Sequence, residues 1–157
     1  MTPYFSQLKY FHYEIVTKTT KAKKKGEKTK YKRTCNDIFC FDIEVTSAWI
    51  GDKGKIFSYI PGKSTDYWNN LTAISLPYIW QFSINNEVFY GRELRDFKKV
   101  LDDLPKDVFF IIWVHNLSYE FVFLQNILAW VNVFARRPHK PMKAVSLEYP
   151  NIEFRCT

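Results

Sequence analysis

Residues 38–45 read Ile-Phe-Cys-Phe-Asp-Ile-Glu-Val. β-Branched and aromatic residues fill this stretch, which predicts a central strand that is buried on both faces except where its two acids interrupt it. Asp42 and Glu44 are two residues apart, so on a strand both side chains leave the same face, with Cα atoms roughly 6.5 to 7 Å apart. That face is not ordinary core, because burying two like charges is costly unless cations compensate them.

Two interpretations of this acidic pair stay open on the strand alone. A pair of divalent ions needs oxygen ligands that project from a rigid element, and a strand provides them. Alternatively, the end of the strand is exposed and both acids are solvated. Because Asp-x-Glu is a common tripeptide, the choice depends on what the rest of the chain places beside it.

A second buried strand is predicted over residues 108–114, Val-Phe-Phe-Ile-Ile-Trp-Val. It is followed by His-Asn-Leu-Ser-Tyr-Glu-Phe at 115–121, a turn leading into a helix. This junction carries an amide, an aromatic ring and an acid, and ligands often bind at strand-to-helix junctions of such sheets. Glu120 falls in the first turn of the helix. The alternative is that Asn116 or Ser118 caps the helix and that Glu120 favours its dipole.

The remaining pattern predicts an α/β domain with a mixed sheet and flanking helices. Gly51, Gly54, Pro61 and Gly62 mark turns and loops. The other predicted elements are a hairpin of strands 78–84 and 87–90 around Asn85-Asn86, a helix from Glu93 to Asp103 that ends before Pro105, a helix from Ser118 to about Trp130, a loop over 136–141, and one or two strands from Met142 onward.

The bulk composition indicates one soluble domain. A chain of 157 residues with 46% hydrophobic residues can bury a core. No apolar run reaches the ~18 residues that span a bilayer, and Lys9 and Glu14 interrupt the N-terminus where a signal peptide needs an apolar segment, so we expect neither a membrane partner nor export. Cys35, Cys40 and Cys156 lack the paired spacing of a zinc site or disulfide framework.

The positive charge is concentrated at the N-terminus. Residues 1–34 hold ten Lys or Arg against two Glu, a net charge of +8, whereas the remainder is close to neutral. Residues 17–34 are rich in Lys and Thr with little to bury, which predicts a basic flexible arm over residues 1–35 and a folded domain over 36–157. Such an arm either binds a polyanion without reading its sequence or is merely solvated.

Together the two motifs resemble a known family. Phe41-Asp42-Ile43-Glu44, followed some seventy residues later by Val114-His115-Asn116-Leu117-Ser118-Tyr119-Glu120-Phe121, is similar to the first (Asp-x-Glu) and second (Asn-x2-aromatic-acid) exonuclease motifs of protein-primed, phage-type family B DNA polymerases. The resemblance covers roughly residues 36 to 155. It implies a ribonuclease H-like fold and a DEDD 3′→5′ proofreading exonuclease domain at the N-terminus of the polymerase.

The resemblance also implies roles for individual residues. Asp42 and Glu44 would ligate two divalent ions, Mg²⁺ or Mn²⁺, with Asp42 as the bridge and Glu44 also positioning the attacking water. Glu120 would hold the second ion. Asn116 and Tyr119 would grip the 3′ end of single-stranded DNA, with His115 and Phe123 as further contacts. Aromatic stacking suits a site that accepts any mispaired base.

The chain departs from the family pattern in two ways. Glu120 stands where the family more often has Asp. The third motif, Tyr-x3-Asp, is absent, since Tyr149-Pro150-Asn151-Ile152-Glu153 has its spacing but lies in a predicted strand. We therefore expect a partial domain, truncated at its C-terminal end, that is a weak or inactive nuclease by itself.

The same resemblance implies binding partners and a cellular location. The expected partners are the single-stranded 3′ end, the missing polymerase domain and the terminal protein primer, in the cytoplasm of a bacterial host. Two other functions stay open: a non-catalytic nucleic-acid-binding module in which the acids are structural, and a free-standing DEDD exoribonuclease.

Overall fold

The computed structural model describes residues 14–20 and 30–157. Three α-helices occur in this part: α1 (Thr65–Asn69), α2 (Phe97–Asp103) and α3 (Leu117–Leu124). The strands are β1 (Ile15–Thr20), β2 (Lys30–Cys35), β3 (Phe39–Ile50), β4 (Ile56–Phe57), β5 (Thr72–Ile84), β6 (Glu87–Gly91), β7 (Val108–Val114), β8 (Trp130–Arg137), β9 (Lys140–Ser146) and β10 (Ile152–Cys156).

The strands form an open, mixed sheet in the order β6-β5-β3-β7-β10-β9-β8. At its centre β3, β7 and β10 run parallel, and β2 also pairs in parallel with β7. The outer pairs are antiparallel. The predicted α/β class with a mixed sheet is therefore confirmed. Most strand pairs in the sheet are antiparallel, and few helices accompany it.

One face of the central strands carries the core. Burial alternates along β7, with Phe110, Ile112 and Val114 fully buried, as the pleat of a strand dictates. The same face of β3 presents Phe41, whose ring stacks on Phe97 of α2 with centroids 4.1 Å apart. Aromatic rings dominate this core, and Asp42 and Glu44 alternate away from it toward the half-buried face.

The predicted strand over 108–114 is confirmed, and so is the hairpin around Asn85, which adopts a left-handed φ of 53°. The predicted helix over 93–103 begins as a 3-10 turn at Leu94 and becomes α-helical at Phe97. The short helix α1 was not predicted.

Two predictions near the C-terminus are wrong. The helix expected to reach Trp130 ends at Leu124, because the next turns are closed by tighter bonds such as Asn126 N–H to Phe123 carbonyl. Trp130 instead begins β8, and the loop expected over 136–141 is mostly strand. The strands pair through a short connection in which His139 takes a φ of 58°.

The predicted flexible arm also contains described structure. Residues 15–20 and 30–35 pair as the antiparallel strands β1 and β2, and Arg33 and Thr34 lie in register with Val108 and Phe109 of β7. Backbone hydrogen bonds between the two segments form these strands, so the sheet includes residues before Asn36. The rest of the predicted arm lies outside the described residues.

Two further observations concern the described part of the chain. None of its helices is both long and apolar enough to cross a membrane. Cys35, Cys40 and Cys156 are free thiols.

Candidate functional site

The candidate site lies where β7 ends. The pairing of β3 with β7 stops at Phe41 opposite Val114, while β3 continues to Ile50. The chain then turns at Asn116 and enters α3, whose first turn follows β7 directly. Glu120 is placed there, against the backbone of β3.

Glu120 is the most unusual acid in the described part of the chain. Its side chain is only 3% exposed. Burial raises its pKa to about 8, and the negative charges of Asp42 and, less strongly, Glu44 raise it in the same direction. A hydrogen bond from the backbone of Ile43 partly opposes this rise. Its Oε2 atom is buried without a hydrogen-bond partner among the residues that the structure describes.

These causes show that the three predicted acids share one region. Asp42 is half-buried and pairs across the sheet with Gln81, whereas Glu44 is exposed and lies opposite Ile79. Their charges act on Glu120 strongly enough to shift its pKa. Within residues 14–20 and 30–157, however, no three His, Cys, Asp or Glu side chains lie close enough together to form a metal-binding group.

The chemistry of the three carboxylates nevertheless suits a hard divalent cation. All three are carboxylates, the ligands that Mg²⁺ and Mn²⁺ prefer. The buried Oε2 of Glu120 lacks a partner, and at neutral pH a carboxyl group with a pKa near 8 holds a proton that a cation would displace. The residues therefore suit the predicted ions in their chemistry, although the three side chains are not grouped closely enough in the described structure to form a metal-binding group.

Asn116 occupies the turn between β7 and α3 in the left-handed conformation, with φ 51° and ψ 58°. Asn tolerates this conformation better than most residues. Its side chain makes no capping hydrogen bond, although its backbone carbonyl accepts from the N–H of Tyr119. The alternative that the Asn116 side chain caps the helix is therefore wrong, and its exposed amide is available to a ligand.

The aromatic residues of α3 line a groove beside the acids. Tyr119 is 43% exposed and its ring meets the ring of Phe123 edge to face, with centroids 5.4 Å apart. Both line a cavity of about 460 Å³ with Ile74 and Pro77 of β5. Pro77 pairs with Val45, the residue after Glu44, so the groove lies over β5, the strand next to the one that carries Asp42 and Glu44.

Phe123 and His115 have different surroundings. Phe123 is only 7% exposed, so its ring supports Tyr119 more than it offers a face of its own. His115 is exposed, and its Nδ1 lies 3.5 Å from the hydroxyl of Thr157.

No protein-family model, curated protein or solved structure matches this chain. The assignment of the site therefore depends on its own geometry and on the resemblance of its motifs.

The segment with the spacing of a third motif does not join the acids. The hydroxyl of Tyr149 donates to the carboxylate of Asp102 at 2.8 Å, and Glu153 forms ion pairs with Arg155 and Lys143. Tyr149 is buried and links the C-terminal segment to α2. Both side chains are thus engaged in structural contacts away from Asp42, Glu44 and Glu120.

The sequence interpretation missed two parts of this region. One is the groove wall formed by β5. The other is a group of aromatic residues at the end of β3 and in the segment before β5, Trp49, Tyr59, Tyr67 and Trp68. Their density in a segment rich in Gly, Ser and Lys was a signal that could have identified them.

Substitution of Asn116 should separate its backbone role from its side-chain role. We expect Asn116→Ala to lower the free energy of unfolding by about 1 to 2 kcal/mol, because alanine is strained in the left-handed region. Asn116→Gly should leave stability within about 0.5 kcal/mol, since glycine adopts this conformation freely. Urea unfolding of both variants checks this prediction, and equal losses in both would contradict it.

Proposed function

We propose that this chain is the N-terminal 3′→5′ proofreading exonuclease part of a DNA-directed DNA polymerase of the protein-primed, phage-type family B, with a ribonuclease H-like sheet. The observation that carries the proposal is the burial of the Glu120 carboxyl group, whose Oε2 has no hydrogen-bond partner among the described residues, within reach of the charges of both Asp42 and Glu44. Acids from two separate motifs, some seventy-six positions apart in the chain, act on one another only because the fold brings them together.

The proposed reaction removes the last nucleotide of a single strand. Water attacks the terminal phosphorus, the bond to the 3′ oxygen of the preceding nucleotide breaks, and a nucleoside 5′-monophosphate leaves. Bound Mg²⁺ or Mn²⁺ ions would stabilise the attacking and leaving oxygens. Glu44, the exposed acid of the pair, would orient the attacking water, whereas Asp42 and Glu120 would hold the ions.

The neighbouring groups would hold the nucleic acid. The free side-chain amide of Asn116 can donate hydrogen bonds to the terminal nucleotide, and the exposed ring of Tyr119 can stack on its base, supported by Phe123. The groove of about 460 Å³ is large enough for one nucleotide. Stacking accepts any base, as removal of a mispaired terminus requires. The terminal protein and a polymerase domain are the partners that this function implies.

A metal titration tests the proposal directly. We expect Mn²⁺ or Mg²⁺ to raise the melting temperature of the chain by several degrees, because an ion that binds only the folded state stabilises it by about 2.7 kcal/mol at a hundred times its Kd. The double variant Asp42→Ala with Glu44→Ala should lose this shift. As a matched control, Glu87→Ala with Asp103→Ala removes two exposed acids elsewhere and should keep it.

The same titration discriminates the second candidate function. A non-catalytic nucleic-acid-binding module would bind single-stranded DNA while its melting temperature stayed insensitive to divalent ions. The exposed Tyr119 and the basic N-terminus favour this alternative as far as binding is concerned, but they give no reason for the buried, unpartnered oxygen of Glu120.

A further inference from the structure

A cluster of aromatic rings lies beyond the carboxylates, at the far end of β3. We call Trp49, Tyr59, Tyr67 and Trp68 the aromatic cluster. The rings of Trp49 and Trp68 have centroids 4.3 Å apart, and Tyr59 stacks on Trp68 at 5.5 Å with an interplanar angle of only 16°. Tyr67 meets Trp68 edge to face. These contacts hold the segment between β3 and β5 together and fix the orientation of the rings.

The cluster is accessible to a ligand. Tyr59 is 64% exposed, the largest value among the large apolar side chains in the described part of the chain. Because one face of its ring is covered by Trp68, the exposure belongs to the other face and the edges. A fixed, solvent-facing ring of this kind is a stacking surface for a nucleobase.

Positive charge adjoins the cluster. The ammonium group of Lys63 lies 4.9 Å from the ring centroid of Tyr67. A cavity of about 500 Å³ beside Tyr67 is lined by Lys53 and Lys55, neither of which forms an ion pair with a described carboxylate. With Asp52 and Asp66 also present, residues 51–71 carry a net charge of +1. The segment therefore combines aromatic faces with unpaired cations, the composition of surfaces that bind single-stranded nucleic acid.

The position of the cluster connects it to the proposed site. Trp49 follows Glu44 by five residues on the same strand, which places their Cα atoms roughly 16 Å apart. The groove wall residue Ile74 pairs with Ala48, next to Trp49. Because Glu44 and Trp49 are an odd number of positions apart, their side chains leave opposite faces of β3. A DNA strand whose 3′ end lay at the acids would therefore follow β3 and β5 and pass around the end of this strand pair to reach the cluster.

We propose that the aromatic cluster is a second binding site for single-stranded DNA, on which a base upstream of the 3′ end stacks. Tyr59 supplies the exposed stacking face, Trp68 and Trp49 support it, and Lys53, Lys55 and Lys63 neutralise the phosphates. The inference rests on the proposed function for the direction in which the DNA strand lies. The binding of DNA to the cluster itself is independent of metal and of hydrolysis.

Binding of a fluorescent oligodeoxythymidine of about 12 nucleotides tests the inference, by anisotropy in EDTA and about 0.15 M salt. We expect Tyr59→Ala to raise the Kd by about 5- to 100-fold, the loss of one stacked base. Tyr59→Phe should bind like the original chain, because it keeps the ring. Tyr90→Ala is the matched control: Tyr90 is also exposed, at 54%, but lies on the edge strand β6 and should leave the Kd unchanged.

Three results would overturn the inference. Tyr59→Ala could bind as tightly as the original chain, or Tyr90→Ala could lose as much affinity. Tyr59→Ala could also change only self-association in sedimentation, which would make the cluster an interface between protein copies. Because Tyr59 is exposed, misfolding is not expected, and circular dichroism checks this. The binding assay contains no divalent metal, so it can be interpreted even if the metal titration shows no shift. In the same way, an unchanged Kd for Tyr59→Ala would not affect the result of the metal titration.

Discussion

Replacing Asp42 and Glu44 together by alanine is expected to slow the removal of 3′-terminal nucleotides from single-stranded DNA by at least about 100-fold. The two carboxylates leave the same side of β3, so one substitution alone leaves a neighbour that can still attract a cation. Removing groups that only support metal ligands already costs 10- to 100-fold in many metalloenzymes, and the ligands themselves should matter more.

The assay must detect slow hydrolysis, since the sequence does not contain the third motif of the family that it resembles. A 5′-labelled strand is incubated with excess protein and Mn²⁺, and the shortened products are resolved by length. Glu87→Ala with Asp103→Ala should retain the rate of the original chain, because these exposed acids lie away from Glu120. Equal rates in the original chain and in the Asp42, Glu44 double variant would exclude these acids as the metal ligands of a nuclease.

Replacing Glu120 by glutamine is expected to remove a large pH dependence of stability. The folded-state pKa is about 8, against an ordinary value of 4.5. Between these values the folded chain holds a proton that the unfolded chain has released, so the free energy of unfolding falls by about 1.4 kcal/mol for each pH unit as pH rises. The loss is complete above pH 8 and amounts to roughly 3 to 5 kcal/mol.

Urea unfolding in EDTA at pH 5, 7 and 9 measures this effect. Glu120→Gln should be close to the original chain at pH 5 and clearly more stable at pH 9, because the amide is isosteric and never ionises. Asp103→Asn serves as the control for loss of an exposed acid and should follow the original chain at every pH. Parallel curves for Glu120→Gln and the original chain would contradict the burial of an ionisable carboxyl group.

Divalent ions should lower the pKa of Glu120, which burial raises. A cation stabilises the ionised carboxylate, so its binding to the folded chain releases the proton of Glu120 below pH 8. The melting-temperature shift caused by Mn²⁺ should therefore increase from pH 6 to pH 8.

Local patterns in the sequence predicted the central elements well. The apolar run at 108–114 and the Asn85-Asn86 turn each specify their structure through neighbouring residues, and both predictions are confirmed. By contrast, β3 extends to Ile50 beyond the apolar stretch, because pairing with β5 supplies hydrogen bonds to the polar residues Thr46 and Ser47. The end of α3 at Leu124 depends on tertiary packing, which periodicity alone does not contain.

Sequence motifs identify the candidate acids but not the electrostatics around them. Spacing placed Asp42 and Glu44 on one face and Glu120 in the first turn of a helix, where it could have been a solvated partner of the helix dipole. Its burial results from the packing of α3 against β9 and β10, which brings its carboxyl group to the backbone of Ile43 in β3. The aromatic cluster was not anticipated, because its rings come from β3, from α1 and from the loop between them.

The position of β10 between β7 and β9 affects how the chain folds. The central parallel strands join segments that are far apart in sequence, since Phe39 pairs with Ile112 and Ile152 pairs with Phe110. Parallel pairing between distant segments carries a large loop-closure cost and slows folding. During synthesis, β7 exposes one unpaired edge until residues 152–156 have emerged from the ribosome, so the nascent chain passes through an interval in which it can associate with other unpaired strands.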